Sequence, residues 1–135
     1  LGLVPTLTEY LHDFSADSGI RVDFSADGSE FQFAPDVELQ LMRILQEALT
    51  NVRRHARASY VTVRLQRAGD AARLIIRDDG CGFDPGRSGA EGRAHFGLTT
   101  MRERAEAVGG KFCMESQPGE GTTVEVVLPL PPPEG

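Results

Sequence analysis

No apolar run in this sequence is long enough to cross a bilayer. The longest, such as Val124–Leu128, fall far short of the roughly 20 residues that a spanning helix needs. Cysteine is scarce too. Cys81 and Cys113 lie far apart, with no histidine or cysteine cluster around either, so neither a zinc site nor a disulfide is expected. That usage fits a reduced, cytoplasmic protein. Basic residues are outnumbered, 14 Lys and Arg against 20 Asp and Glu, for a net charge of −6. A nucleic-acid footprint would need a clustered basic surface, so that class of partner is excluded. No internal repeat is evident, and no secretory leader is expected. Two common phosphate-binding patterns, GxxxxGK[ST] and a GxGxxG opening a helix after a strand, are also missing.

What remains is 135 residues, 40% apolar and 25% charged, enough for one domain with a buried sheet-and-helix core. The chain opens at Leu1 without a methionine, which fits a piece of a longer protein; a membrane anchor elsewhere in such a parent is compatible with this composition. Leu3, Leu7, Tyr10, Leu11 and Phe14 recur at helical spacing until Ser18–Gly19 breaks the pattern, and residues 1–19 read as a leading helix. Gly19–Phe24 alternates as a short strand and Phe31–Phe33 as a weaker one. Pro35–Asp36 opens a long helix reaching Ala56, with proline and acids in the first turn, where the helix dipole favours them.

Tyr60–Gln66 and Arg73–Arg77 read as two strands of a hairpin turning at Ala68–Ala71. Leu98–Val108 reads as a helix stopped by Gly109–Gly110, and Lys111–Glu115 and Thr122–Leu128 as two further strands. Helices interleaved with hairpins predict an α+β fold, with helices on one face of a mixed, mostly antiparallel sheet, over residues 20–130. Residues 131–135, rich in proline, are expected to form a disordered tail.

Polar chemistry gathers at two places. On the long helix Leu41, Ile44, Leu45, Ala48, Val52 and Ala56 form an apolar stripe, while Glu47, Asn51 and Arg54 fall at i, i+4 and i+7 with His55 beside them. An acid, an amide and a cation in one row suit a metal–phosphate site, although an ordinary solvated Glu–Arg face has the same spacing. The second place follows a strand: Asp78-Asp79-Gly80-Cys81-Gly82 puts a carboxylate at the strand's end, able to accept from an exocyclic amine, and glycines where backbone must approach a flat ligand. Turns rich in Asp and Gly are common for other reasons. The glycine-bearing stretch Phe83–Phe96 is long for a simple connection and predicts a mobile lid. Gly97 then opens a helix whose first N–H groups could receive phosphate.

Taken in order these segments resemble the GHKL ATPases, the superfamily of gyrase, large heat-shock chaperones, mismatch-repair ATPases and histidine kinases. The likeness is to the histidine-kinase branch that partners regulators of the nitrate-response type. LQEALTNVRRHA resembles its N box, DDGCGFD its first glycine box, HFGLTTMRERA its second and GEGTTVEVVLP its third, together spanning Asp36–Pro129. The resemblance implies the Bergerat ATP-binding fold, a two-layer α/β sandwich, with ATP and Mg²⁺ as ligands. It implies Asn51 as the Mg²⁺ ligand and Glu47 as general base or orienter of the nucleophile. Arg54 and His55 would contact phosphates, as would Gly97 and Leu98. Asp78 would bind the adenine amine, Gly80 and Gly82 would shape its pocket, and Gly121 and Thr122 would support the adenine end.

The sequence departs from the family twice. His95 stands where the second glycine box often has its first glycine, and no separate phenylalanine box is evident in Phe83–Phe96. His12-Asp13 superficially resembles a phosphoacceptor motif, but Asp17 replaces the usual Gln and no second hairpin helix fits before the N box; His12 is read as the exposed side of a helix. The accepting histidine would therefore lie on separate dimerisation helices of a homodimeric parent, upstream of a response regulator. Met101 and Met114 read as core filler. The competing expectations are an anti-sigma serine kinase, which shares Glu47 and Asn51, and a nucleotide-sensing module without catalysis.

Overall fold

The computed structural model describes residues 2–27, 31–82 and 97–131, apart from the side chains of His55 and Ala56. The expected lid over Phe83–Phe96, with His95, and the end of the tail lie outside those residues. The chain runs α1 (Leu3–Ser18), β1 (Arg21–Ala26), α2 (Pro35–Asn51), a π-helical turn (Val52–Ala56), β2 (Tyr60–Ala68), β3 (Ala71–Asp78), α3 (Leu98–Ala107), β4 (Lys111–Ser116) and β5 (Thr122–Pro129). The strands form one sheet in the order β1-β2-β3-β5-β4. β1 and β2 are parallel, and the other three pairings are antiparallel. A parallel pair needs a crossover, and α2 supplies it. Among the described residues, no helix is long and apolar enough to cross a membrane.

Alternation along the strands decides which face is covered. Val61, Val63 and Leu65 of β2, Ala72, Leu74 and Ile76 of β3, and Val124, Val126 and Leu128 of β5 are all buried. Against them pack Leu41, Ile44, Leu45, Ala48 and Val52 of α2 and its continuation, with Leu98, Met101 and Ala105 of α3. Leu3, Leu7 and Leu11 of α1 enter the same core, so the leading helix packs as part of the domain. Leu45 is 0% exposed in the middle of this layer. Leu45→Ala is therefore expected to cost about 2–5 kcal/mol of unfolding free energy, read from the midpoint of urea denaturation.

α1 ends at Ser18, where the Ser18–Gly19 break was expected; Gly19 adopts a left-handed φ of 76° and donates its N–H to the Ser15 carbonyl at 2.9 Å. Two other elements differ from the sequence reading. Phe31–Phe33 is not a strand. Both rings are buried and stack with centroids 6.4 Å apart, so their alternation reports side-chain burial without backbone pairing. The long helix keeps α-helical bonding only to Asn51; residues 52–56 widen into the π turn, and Arg57 ends it in the left-handed region at φ 51°.

Candidate functional site

β3 ends by turning a carboxylate inward. Ala72, Leu74, Ile76 and Asp78 share the helix-facing row of the strand, so the pleat that buries three apolar side chains also buries the acid. Asp78 is 5% exposed, and among the described residues it is the sole charged side chain in the buried class. Its Oδ1 accepts the Gly80 N–H at 2.8 Å. Burial pushes its pKa up; the N–H groups of Gly80 and Thr122 partly offset this, and the neighbouring Asp79 charge adds to it. A buried carboxylate whose pKa is raised in this way is a functional-site candidate.

The backbone around it is packed too closely for side chains. Asp78 pairs with Thr122 across β3 and β5, which lays Gly121 over the acid. A Cβ at Gly121, whose φ is +78°, would lie 3.2 Å from the Asp78 carbonyl carbon and 3.5 Å from its Oδ1. One at Gly82 would lie 2.9 Å from the Gly121 oxygen. Ser116 braces this shelf, its hydroxyl 2.8 Å from Thr122 Oγ1 and bonded to the Gly121 carbonyl at 3.2 Å. Gly80, Gly82, Gly121 and Thr122 are thus gathered about Asp78 as the sequence reading expects, and Ser116 joins them unannounced.

A second polar group lies on α2. Glu47 and Asn51 are half-buried one helical turn apart. The Glu47 carboxylate rests against the backbone of Gly97, where an added Cβ would come within 2.8 Å of its Cδ. Gly97, with φ +65°, is the N-cap of α3, and Leu98 behind it is buried. Glu47 therefore meets the positive end of α3, beside the N–H groups that a helix start leaves without internal partners. Arg54 is exposed and lines a cleft with Tyr10, Phe14, Gln46, Leu49, Thr50 and Arg53. The wider π period turns it from the Asn51 row toward that of Gln46 and Thr50. The His55 side chain is outside the described residues.

The two groups sit at one end of the sandwich. Only Arg57, Ala58 and Ser59 separate the π turn from β2. The first residues of β2 are tied to the end of β3: Val61 pairs with Asp78, and Asp79 accepts the N–H groups of Ser59 and Tyr60 at 2.9 and 3.0 Å. The end of α2, the end of β3 and the start of β5 thus lie at one end of the sandwich.

A family model described as "Histidine kinase-, DNA gyrase B-, and HSP90-like ATPase" matches residues 36–132. The chain belongs to that family. Among curated relatives of this ATPase domain, the signal transduction histidine-protein kinase/phosphatase DegS of Brevibacillus brevis is 39% identical over 96% of the chain and 33% of its own length. The sensor histidine kinase LiaS of Bacillus subtilis is 39% identical over 98% of the chain and 36% of its own length. The chain thus spans about a third of these relatives. Solved structures share the fold. The histidine kinase domain of the Erythrobacter litoralis EL346 blue-light activated kinase superposes with a TM-score of 0.68 at 22% identity, covering 92% of this chain and 59% of that one. The catalytic domain of histidine kinase ThkA does so with a TM-score of 0.72 at 14% identity, covering 94% and 90%. At those identities the likeness carries the fold alone.

Proposed function

We propose that the domain binds Mg·ATP between the Asp78 shelf and the Glu47–Asn51 face and transfers the γ-phosphoryl group to a histidine on separate dimerisation helices, for relay to a response regulator. The observation that carries this reading is the buried carboxylate of Asp78, opening at the same end of the sandwich as Glu47 and Asn51. Asp78 accepts the adenine amine with the oxygen lone pairs that the Gly80 and Thr122 N–H groups leave open, while Gly82, Gly121 and Thr122 shape the floor. Gly97 and Leu98 present helix-start N–H groups to the phosphates. Arg54 and His55 supply charge or hydrogen bonds to them, Arg54 by swinging from its cleft.

The Asn51 amide oxygen is a hard donor, which fits a cation held mostly by phosphate oxygens and water. Bound there, Mg²⁺ would neutralise charge on the triphosphate. In the transfer itself, a ring nitrogen of the incoming histidine forms the new bond to the γ-phosphorus with its lone pair. The bond from that phosphorus to the bridging oxygen breaks, and ADP leaves with the electron pair. Glu47, held at the start of α3, takes the hydrogen bond or proton of the other ring nitrogen and so orients the ring. The relatives favour histidine over serine as acceptor, since DegS and LiaS are both named histidine kinases.

Incubation of the chain with γ-labelled Mg·ATP and a helical hairpin carrying a phosphoacceptor histidine tests the reading. Acid-labile, base-stable label on the hairpin is expected. Label that survives acid, as on a serine, or no transfer at all rejects it.

A further inference from the structure

Two adjacent carboxylates at the end of β3 have opposite surroundings. Asp78 points into the sandwich, whereas Asp79 is exposed and accepts three hydrogen bonds from one short segment. Its Oδ1 takes the N–H groups of Ser59 and Tyr60 at 2.9 and 3.0 Å, and its Oδ2 takes the Ser59 hydroxyl at 2.8 Å. The Asp79 N–H in turn donates to the Tyr60 carbonyl at 3.2 Å. The Ser59 hydroxyl, followed by the Tyr60 N–H, lowers the Asp79 pKa, so the acceptor stays ionised at neutral pH.

The position of this clamp gives it meaning. Ser59 is where the chain arrives after Asn51, the π turn and the left-handed Arg57. Asp79 directly follows the carboxylate assigned to adenine. A ligand that touches both Asp78 and Asn51 needs a fixed distance between β3 and the end of α2, and beyond the β2–β3 ladder it is the Asp79 side chain that ties Ser59, at the exit of the π turn, to the end of β3. We infer that Asp79 is a positioning residue, which holds the exit of the π turn against the end of β3 and so sets the spacing between the adenine wall and the phosphate wall. The inference rests on the nucleotide reading above and deepens it. Asp79 touches neither end of the ligand. Its loss leaves Asp78 with its own partners, Gly80 and Thr122. What drifts is the Asn51 end.

The test compares a ligand that uses one wall with a ligand that uses both: adenosine and Mg·AMP-PNP, each measured by competition against a fluorescent adenine nucleotide. In Asp79→Ala the affinity for Mg·AMP-PNP is expected to fall roughly tenfold, the scale of hydrogen bonds lost to a charged acceptor, while adenosine stays within about twofold. Asp79→Asn retains one acceptor oxygen for the two N–H groups and is expected to recover most of the loss. Equal weakening of both ligands, no weakening of either, or failure of Asn to rescue overturns the inference. Should Asp79→Ala fail to fold by circular dichroism, Ser59→Ala, which removes only the hydroxyl bond, is expected to show the same selective loss on a smaller scale; equal loss there overturns it as well. If the unaltered chain binds neither ligand, the nucleotide reading falls first.

Discussion

Asp78→Asn is expected to weaken Mg·AMP-PNP binding by roughly ten- to a hundredfold, the value of a buried hydrogen bond to a charged acceptor. The substitution is nearly isosteric, and an amide oxygen could still receive the Gly80 N–H that Asp78 Oδ1 holds at 2.8 Å. The other atom becomes an NH₂ facing an amine, donor against donor, in a buried place. Calorimetric titration at neutral pH measures the loss, and a thermal melt of the variant separates it from unfolding. Unchanged affinity would remove Asp78 from adenine recognition.

The same residue gives the binding a pH dependence. Burial raises the Asp78 pKa, so in the empty domain it takes up a proton at a higher pH than an ordinary carboxylate. Affinity is therefore expected to fall as pH drops through that raised value, because the protonated acid offers the amine a poorer acceptor. Stability of the empty domain moves the other way. Between the ordinary aspartate value and the raised one, the folded chain holds a proton that the unfolded chain has released. Asp78 thus favours the fold most at low pH, and its contribution declines as pH rises through that window. Opposite slopes for nucleotide affinity and for the melting temperature of the empty domain, both absent in Asp78→Asn, would tie the effect to this one group.

How much of this was legible in the sequence depends on whether a feature has a period. The stripe Leu41, Ile44, Leu45, Ala48 and Val52 is buried as its spacing requires. Strand parity even separates the two acids. Asp78 follows Ile76 by two residues and faces inward, while Asp79 is one step out of phase and faces solvent. The DDG turn alone makes them look equivalent, and the partner of Asp79 is about twenty residues away in sequence, where no local rule reaches. The π turn is hidden for a different reason. Val52–Ala56 contains neither proline nor glycine, and a small change of helical period leaves no mark in composition. Its effect is the one lapse in an otherwise regular row: Glu47 and Asn51 stay together, whereas Arg54 turns toward Tyr10 and Phe14. Phe31–Phe33 fails in the opposite sense, since two rings spaced by one residue bury on a common side whether or not their backbone joins a sheet.

Glu47→Gln is expected to separate binding from transfer. The carboxylate lies against the backbone of Gly97 at the start of α3, a place where a glutamine side chain fits without moving the helix. Its neighbour is Gly97 of α3, not the shelf around Asp78, so affinity for Mg·AMP-PNP should stay within about threefold, given that a neutral amide still accepts hydrogen bonds. Transfer to a histidine is different. An amide cannot take a proton, and it stabilises developing positive charge on the attacking ring far less than a carboxylate does. Removal of a general base of this kind lowers rates by about 10²- to 10⁴-fold. Single-turnover labelling of a histidine-bearing hairpin, with nucleotide saturating, reads that step apart from binding. Transfer at an undiminished rate would make Glu47 a structural partner of Gly97 and nothing more. Loss of binding in parallel with transfer would instead mean that its charge serves the nucleotide. The selective outcome requires the arrangement found here, in which α2 holds the acid against the start of α3 and Gly97, having no Cβ, leaves room for it.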